Sequence, residues 1–231
     1  MGIVADFFRV GWDYESFVRR VRSGELPRVG RVITDSGISL HDDFVRELRV
    51  ADDVPTALYL LGAHMWAESG GELEAIGVFE AAVARGSVEA TRALGMSLNW
   101  MGLHERAVDV LARAIEDDPE DAELHGLLGL SMSQQMLDDS AEPHLRLGLS
   151  RDPSLAIPLA EIRRRAGDER EYRELVLEAA RCDVYGSHII AGNYFAENND
   201  VESAEKMYRS GIASGDAHSA YNLGRLFYSS G

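Results

Sequence analysis

The chain has 231 residues, of which 45% are hydrophobic and 27% charged, a balance that excludes wholesale disorder. Its net charge of −16 disfavours nucleic acid and anionic membranes as partners and favours proteins or peptides with basic segments. The lone cysteine, Cys182, excludes an intramolecular disulfide and fits a reducing cytoplasm. The sequence contains no apolar run of membrane-spanning length and no recognisable signal peptide.

Residues 1–52 follow no repeat, and we predict that they form a small N-terminal cap. Apolar residues at helical spacing indicate a first helix over residues 14–21. Residues 29–40 are rich in β-branched side chains around a turn sequence, which favours a short β-hairpin. Ser39 is placed to cap a further short helix that carries Leu48. Such a segment would cover the apolar end of a helical stack.

From residue 53 to residue 231 the chain repeats itself. A glycine preceded by leucine or alanine recurs at intervals of 33, 34, 63 and 32 residues, and the interval of 63 is two periods with Ile162 replacing one glycine. An alanine follows four of these glycines after 12 or 13 residues. The glycines are Gly62, Gly95, Gly129, Gly192 and Gly224, and the alanines are Ala75, Ala107, Ala141 and Ala204. This period predicts a solenoid of helical hairpins, in which the small residues let paired helices approach closely.

The clearest unit spans residues 91–119 and reads Thr-x-x-Leu-Gly-x-x-Leu, followed by Ala107-x-x-x-Leu111, Ala114 and Pro119. It resembles the tetratricopeptide repeat (TPR), and the last units also resemble the related Sel1-like repeat through Ala204, Tyr208 and Gly215-Asp216. The resemblance covers about residues 54–231 and is weakest at residues 155–183. It implies an all-α, right-handed superhelical solenoid of antiparallel helix pairs, with about five units and a final single helix.

The resemblance also implies that the first helix of each unit lines a concave groove that binds a partner. Arginine forks and asparagine amides in such a groove suit peptide backbones and carboxylates. Trp66, Met96 and the nearby Trp100 could form an apolar anchor, although aromatic and methionine side chains at helical spacing are more often core. The residues expected to contact the partner are Tyr59, Trp66, Arg92, Met96, Asn99, Arg163, Asn193, Tyr221, Asn222 and Arg225.

Motifs for other chemistries are missing from the sequence. The acidic run at residues 116–121 lacks the spacing of an EF-hand loop and lies at an inter-repeat turn, where acids favour the next helix. The seven histidines form no ligand cluster, and no nucleophile elbow or phosphate-binding loop occurs. We therefore predict no catalytic residue, cofactor or metal.

These patterns favour a cytoplasmic protein–protein interaction scaffold that binds through its concave groove. One alternative is a regulatory sensor of the same fold, switched by a peptide or small ligand. A second alternative is an enzyme with a site between the cap and the first repeats. The final helix is apolar around most of its circumference, which predicts either a continuing chain or self-association through this open helix.

Overall fold

The computed structural model describes residues 42–50 and 52–230, which are helical without β-strands, so the predicted helix at 14–21 and hairpin at 29–40 lie outside the described residues. The described chain forms two compact units that divide between Pro119 and Glu120. The first unit contains α1 (Asp42–Val50), α2 (Pro55–Ala67), α3 (Glu72–Val83), α4 (Val88–Trp100) and α5 (His104–Asp117). The second contains α6 (Ala122–Gln134), α7 (Asp138–Leu149), a 3-10 turn (Pro153–Leu155), α8 (Ala156–Arg165), α9 (Glu169–Arg181), α10 (Ser187–Glu197), α11 (Val201–Ala213) and α12 (Ala217–Ser230).

The helices pack as antiparallel pairs, which confirms the predicted all-α fold class. Within the first unit each helix contacts the next one along the chain, and α2 also contacts α4. In the second unit α6 contacts α8, and α10 contacts α12 in the same alternating pattern. The predicted division into residues 1–52 and 53–231 stays a prediction, because most of the first segment lies outside the described residues.

The repeated glycines make room for one large side chain on the paired helix. A Cβ atom added at Gly95 would lie 2.6 Å from Leu111 Cδ2, and one added at Gly62 would lie 2.6 Å from the Phe79 ring. Each large residue follows the repeated alanine by four positions, and all four alanines are fully buried. The close approach predicted from the small residues is therefore present, and a side chain from the second helix occupies the space over each glycine.

In the unit around Ile162, the large residue lies on the first helix of the pair and the small residue on the second. Ile162 is buried in one cluster with Ala179, which lies 17 residues later. That spacing equals the one between Gly62 and Phe79, so the large and small residues have exchanged helices. This unit also begins with a 3-10 turn, and α8 is only 10 residues long.

Acidic side chains between helices cap the helix that follows. Asp121, at the end of the acidic run, accepts hydrogen bonds from the backbone amides of Glu123 and Leu124 at 2.9 and 3.1 Å. Asp168 and Asp200 cap α9 and α11 in the same manner. Over residues 42–50 and 52–230, no three His, Cys, Asp or Glu side chains are arranged to hold a metal ion. No described helix is long and apolar enough to cross a bilayer.

Candidate functional site

Four of the ten predicted site residues meet in one hollow of the second unit. The hollow has a volume of about 910 Å³ and is formed by α10, α11 and α12. Both α10 and α12 are first helices of successive units, the helices expected to line a groove, and the groove itself stays a prediction. The predicted residues in its lining are Asn193, Tyr221, Asn222 and Arg225; the others are Ala196, Glu197, Tyr208, Ala220, Gly224, Leu226 and Tyr228.

The polar floor of the hollow is built on a glycine of the repeat. Gly192 leaves space on α10 for the ring of Tyr208 from α11, which is 3% exposed. The Tyr208 hydroxyl donates a hydrogen bond of 2.8 Å to Asn193 Oδ1. A tyrosine hydroxyl is protonated at neutral pH, and burial raises the pKa of Tyr208 further, so the hydroxyl remains a donor. The packing residue therefore also orients the neighbouring amide.

A second donor fixes the same amide oxygen. Asn222 Nδ2, on α12, donates to Asn193 Oδ1 at 2.8 Å. A carboxamide oxygen has two lone pairs, so these two bonds saturate it and fix the orientation of the Asn193 side chain. The hydrogen-bonding groups that the pair can present to a ligand are then the Asn193 N–H groups, the second N–H of Asn222 and the Asn222 carbonyl oxygen.

Charged and aromatic side chains surround this amide pair. The Arg225 guanidinium carbon lies 5.9 Å from the centroid of the Tyr221 ring, within the range of a cation–π contact. Tyr221 is 67% exposed and Tyr228 is 93% exposed, so both rings are open to a ligand. Glu197 adds an exposed carboxylate to the lining. The hollow thus presents amide donors, one cation, one anion and two aromatic faces.

The other six predicted residues lie outside this hollow. Tyr59 is only 5% exposed and packs against Phe79, with the ring centroids 6.3 Å apart. Asn99 Oδ1 accepts a hydrogen bond of 3.2 Å from His104 Nδ1. The residues in the first unit are Tyr59, Trp66, Arg92, Met96 and Asn99; Arg163 is in the second.

Arg163 takes part in a network of ion pairs across α7, α8 and α9. Its Nη2 contacts Glu142, and its Nη1 lies 3.9 Å from Glu171. Arg146 bridges the same two carboxylates at 2.7 and 2.6 Å. The guanidinium of Arg163, which we expected in the groove, is therefore paired with carboxylates of the protein itself.

Tyr228 lies four residues after Gly224, the repeat position that Trp66 holds after Gly62, so the repeat itself points to it as a groove residue. Glu197 lies one residue beyond that position and has no such signal in the sequence. Tyr208 had a signal in its spacing, four residues after Ala204 and 16 after Gly192. The core alternative for Trp100 is wrong, since this side chain is 80% exposed. The enzyme alternative concerns a site between the N-terminal cap and the first repeats; most of the cap lies outside the described residues, so this alternative stays a prediction.

Comparison with known proteins identifies the fold. No family model matches this chain, and no curated protein matches its sequence. Human IFIT1, solved as a dimer with PPP-AAAA, superposes over 79% of this chain with a TM-score of 0.63 and 20% identity. The chain spans about half of IFIT1, 48% of its length.

Two other similar structures match over nearly their whole length. TTC0263, a thermophilic TPR protein of Thermus thermophilus, is 14% identical with a TM-score of 0.57, over 75% of this chain and 99% of its own. YrrB, a TPR protein with an unusual peptide-binding site, is 18% identical with a TM-score of 0.53, over 78% and 97%. The chain therefore has the TPR-like helical repeat fold.

Proposed function

We propose that this chain is a protein-interaction module that binds an extended peptide segment in the hollow between α10 and α12, without catalysis. The observation that carries the proposal is the amide pair of Asn193 and Asn222, held by Tyr208 beside the exposed Arg225. We place the interaction in the cytoplasm, where the exposed thiol of Cys182 would stay reduced. We also assign the last units to the Sel1-like subtype.

The chemistry of the hollow suits a peptide backbone. The N–H groups of Asn193 and the guanidinium of Arg225 donate hydrogen bonds, and an extended peptide presents carbonyl oxygens along its length. The Asn222 carbonyl oxygen can accept from a peptide N–H. Because the Asn193 amide is already fixed, binding would cost little side-chain ordering at this position.

Side chains of the peptide would be selected by the rest of the lining. Tyr221 and Tyr228 offer open rings to aromatic, aliphatic or cationic groups. Glu197 favours a basic side chain, and residues 120–230 carry 19 acidic against 11 basic residues, which would attract a basic partner and repel nucleic acid. YrrB, which shares the fold, is described with a peptide-binding site, and this supports a peptide ligand here.

The test is selection from a random peptide library displayed on phage, followed by fluorescence anisotropy with the selected peptides. We expect Arg225→Ala and Asn193→Ala to weaken binding by at least about tenfold, the effect of one charged or two neutral hydrogen bonds. Arg209→Ala is the matched control, because Arg209 pairs with Glu205 on the exposed face of α11. Its affinity should be unchanged.

Two outcomes would contradict the proposal. Selected peptides that bind both hollow variants as tightly as the wild type would place the site elsewhere. Loss of binding only at protein concentrations where light scattering detects a dimer would show self-association through α12 instead. Thermal melts of the Asn193→Ala variant guard against a folding defect, and Arg225→Ala, on an exposed side chain, gives the same test independently.

A further inference from the structure

The first unit has a second exposed apolar surface, well separated in sequence from the hollow. Trp100 is 80% exposed, Leu73 71%, Met96 47% and Met101 38%. Aromatic and methionine side chains are enriched at interaction sites, and a group of exposed apolar side chains is more informative than single ones. We call the end of the first unit that carries these four residues the turn edge.

Topology brings the four residues to one end of the unit. Since α2 runs antiparallel to α3 and α4 antiparallel to α5, the α2–α3 and α4–α5 turns lie at the same end, and α2 contacts α4. Leu73 lies in the first turn of α3, while Trp100 and Met101 end α4. Met96 precedes Trp100 by four residues and shares its helix face.

The charge of the turn edge is negative. Glu68 follows α2, Glu72 and Glu74 lie in the first turn of α3, and Glu105 lies in the first turn of α5. The arginine beside them, Arg106, is paired with Glu80. Residues 52–119 as a whole carry 12 acidic and four basic residues. The end of the unit that carries the exposed apolar side chains therefore also carries several carboxylates, with little compensating positive charge.

We propose that the turn edge docks a basic amphipathic helix of another protein, with Trp100 as its anchor. The apolar stripe of the helix would cover Trp100, Met96 and Leu73, and its lysines or arginines would face Glu74 and Glu105. Methionine side chains adapt to varied apolar surfaces, and tryptophan commonly dominates the energy of such contacts. This surface goes beyond the proposed peptide hollow and does not depend on it.

A helix fits better than the alternative occupants. The described backbone of the first unit is hydrogen-bonded within helices, so it offers no sheet edge on which an extended strand could pair. A second copy of the chain would bring the same acidic surface against itself, and like charges oppose that contact. Charge complementarity therefore selects a basic segment.

The experiment uses the whole protein and a synthetic peptide, about 14 residues of leucine and lysine, with the leucines at helical spacing. Fluorescence anisotropy of the labelled peptide would report binding, and a scrambled peptide of equal composition would report charge attraction alone. We expect the amphipathic peptide to bind at least about tenfold more tightly than the scrambled one. We expect Trp100→Ala to remove that difference.

Further variants separate this surface from the hollow and from self-association. A variant with Glu68, Glu74 and Glu105 all changed to Gln should weaken binding several-fold and reduce its dependence on salt. Arg225→Ala should leave binding unchanged, so failure here and failure of the proposed hollow are distinguishable. Equal binding of the scrambled peptide, full affinity in Trp100→Ala, or a dimer that dissociates when Trp100 is removed would each overturn the proposal.

Discussion

The helix pair α6–α7 and the helix α12 show what the same glycine does with and without a facing helix. A Cβ added at Gly129 would lie 2.7 Å from the Leu145 backbone nitrogen and 3.0 Å from the Ala141 carbonyl oxygen. One added at Gly224 would meet no atom within 4 Å, and this glycine lines the hollow instead. The repeated residues therefore determine how closely paired helices approach, and they are available for a ligand only where no second helix covers them.

The largest effect on stability should follow from adding a side chain at Gly129, where α7 leaves no space for one. Gly129→Ala gains about 1 kcal/mol of helix propensity, but its methyl group meets backbone atoms that cannot rotate away. We expect a net loss of about 2 kcal/mol in the free energy of unfolding, measured by urea denaturation with far-UV circular dichroism. An unchanged free energy of unfolding would show that α7 can shift freely, and that the glycine does not set the spacing.

A smaller loss should follow from opening the ion-pair network in the same unit. Arg163→Met would leave Glu142 and Glu171 facing each other with only Arg146 between them. These side chains are 20–24% exposed, so we expect a loss of about 1 kcal/mol that shrinks in about 1 M salt.

Arg209→Met provides the matched control for this network. Its partner Glu205 is on the same helix, and the arginine side chain is 63% exposed. Such pairs contribute little, so the change should stay within about 0.5 kcal/mol. Equal losses for the two variants would mean that the network contributes no more than a surface pair.

The helix pairs could be predicted from the sequence because the glycines and alanines that let paired helices approach closely recur one period apart. Four of the expected groove residues lie within three positions of a repeat glycine, so the sequence could place them on α10 and α12: Asn193 beside Gly192, and Tyr221, Asn222 and Arg225 around Gly224. Their use by a partner stays a prediction. Arg163 was misleading because its partner Glu142 lies 21 residues away on another helix, and no local pattern reports such a contact. Tyr59 likewise turns inward because Phe79 packs against it.

The stability of the helix pair α6–α7 should also depend on pH. His125 and His144 stack with ring centroids 4.9 Å apart, and their Nδ1 atoms lie 2.6 Å apart, so one ring donates to the other. Burial, and then the charge of His125, holds the pKa of His144 below its usual value. The folded state therefore binds fewer protons than the unfolded chain near pH 6, and stability falls as pH drops through about 6.5.

Stability measured at about pH 7.5 and about pH 5.5 would test this linkage. We expect the wild type to lose stability over that interval and His144→Leu to lose less. Arg165 lowers the pKa of Asp138, but that carboxyl contributes stability that is lost only when pH falls below about 4, outside the interval. An identical decline in both proteins would assign the pH dependence to other groups.

The smallest effect, with the opposite sign, should come from the open position. Gly224→Ala replaces a helix-interior glycine where space is available, so we expect a gain of about 0.5–1 kcal/mol in the free energy of unfolding. The added methyl group would lie in the wall of the hollow, so peptide affinity can change while stability rises. A loss of stability comparable with that of Gly129→Ala, growing with protein concentration, would instead reveal a second copy packed on α12. Gly129 and Gly224 occupy the same repeat position. Opposite signs for the two substitutions would therefore show that the need for glycine comes from the facing helix and not from the repeat position itself.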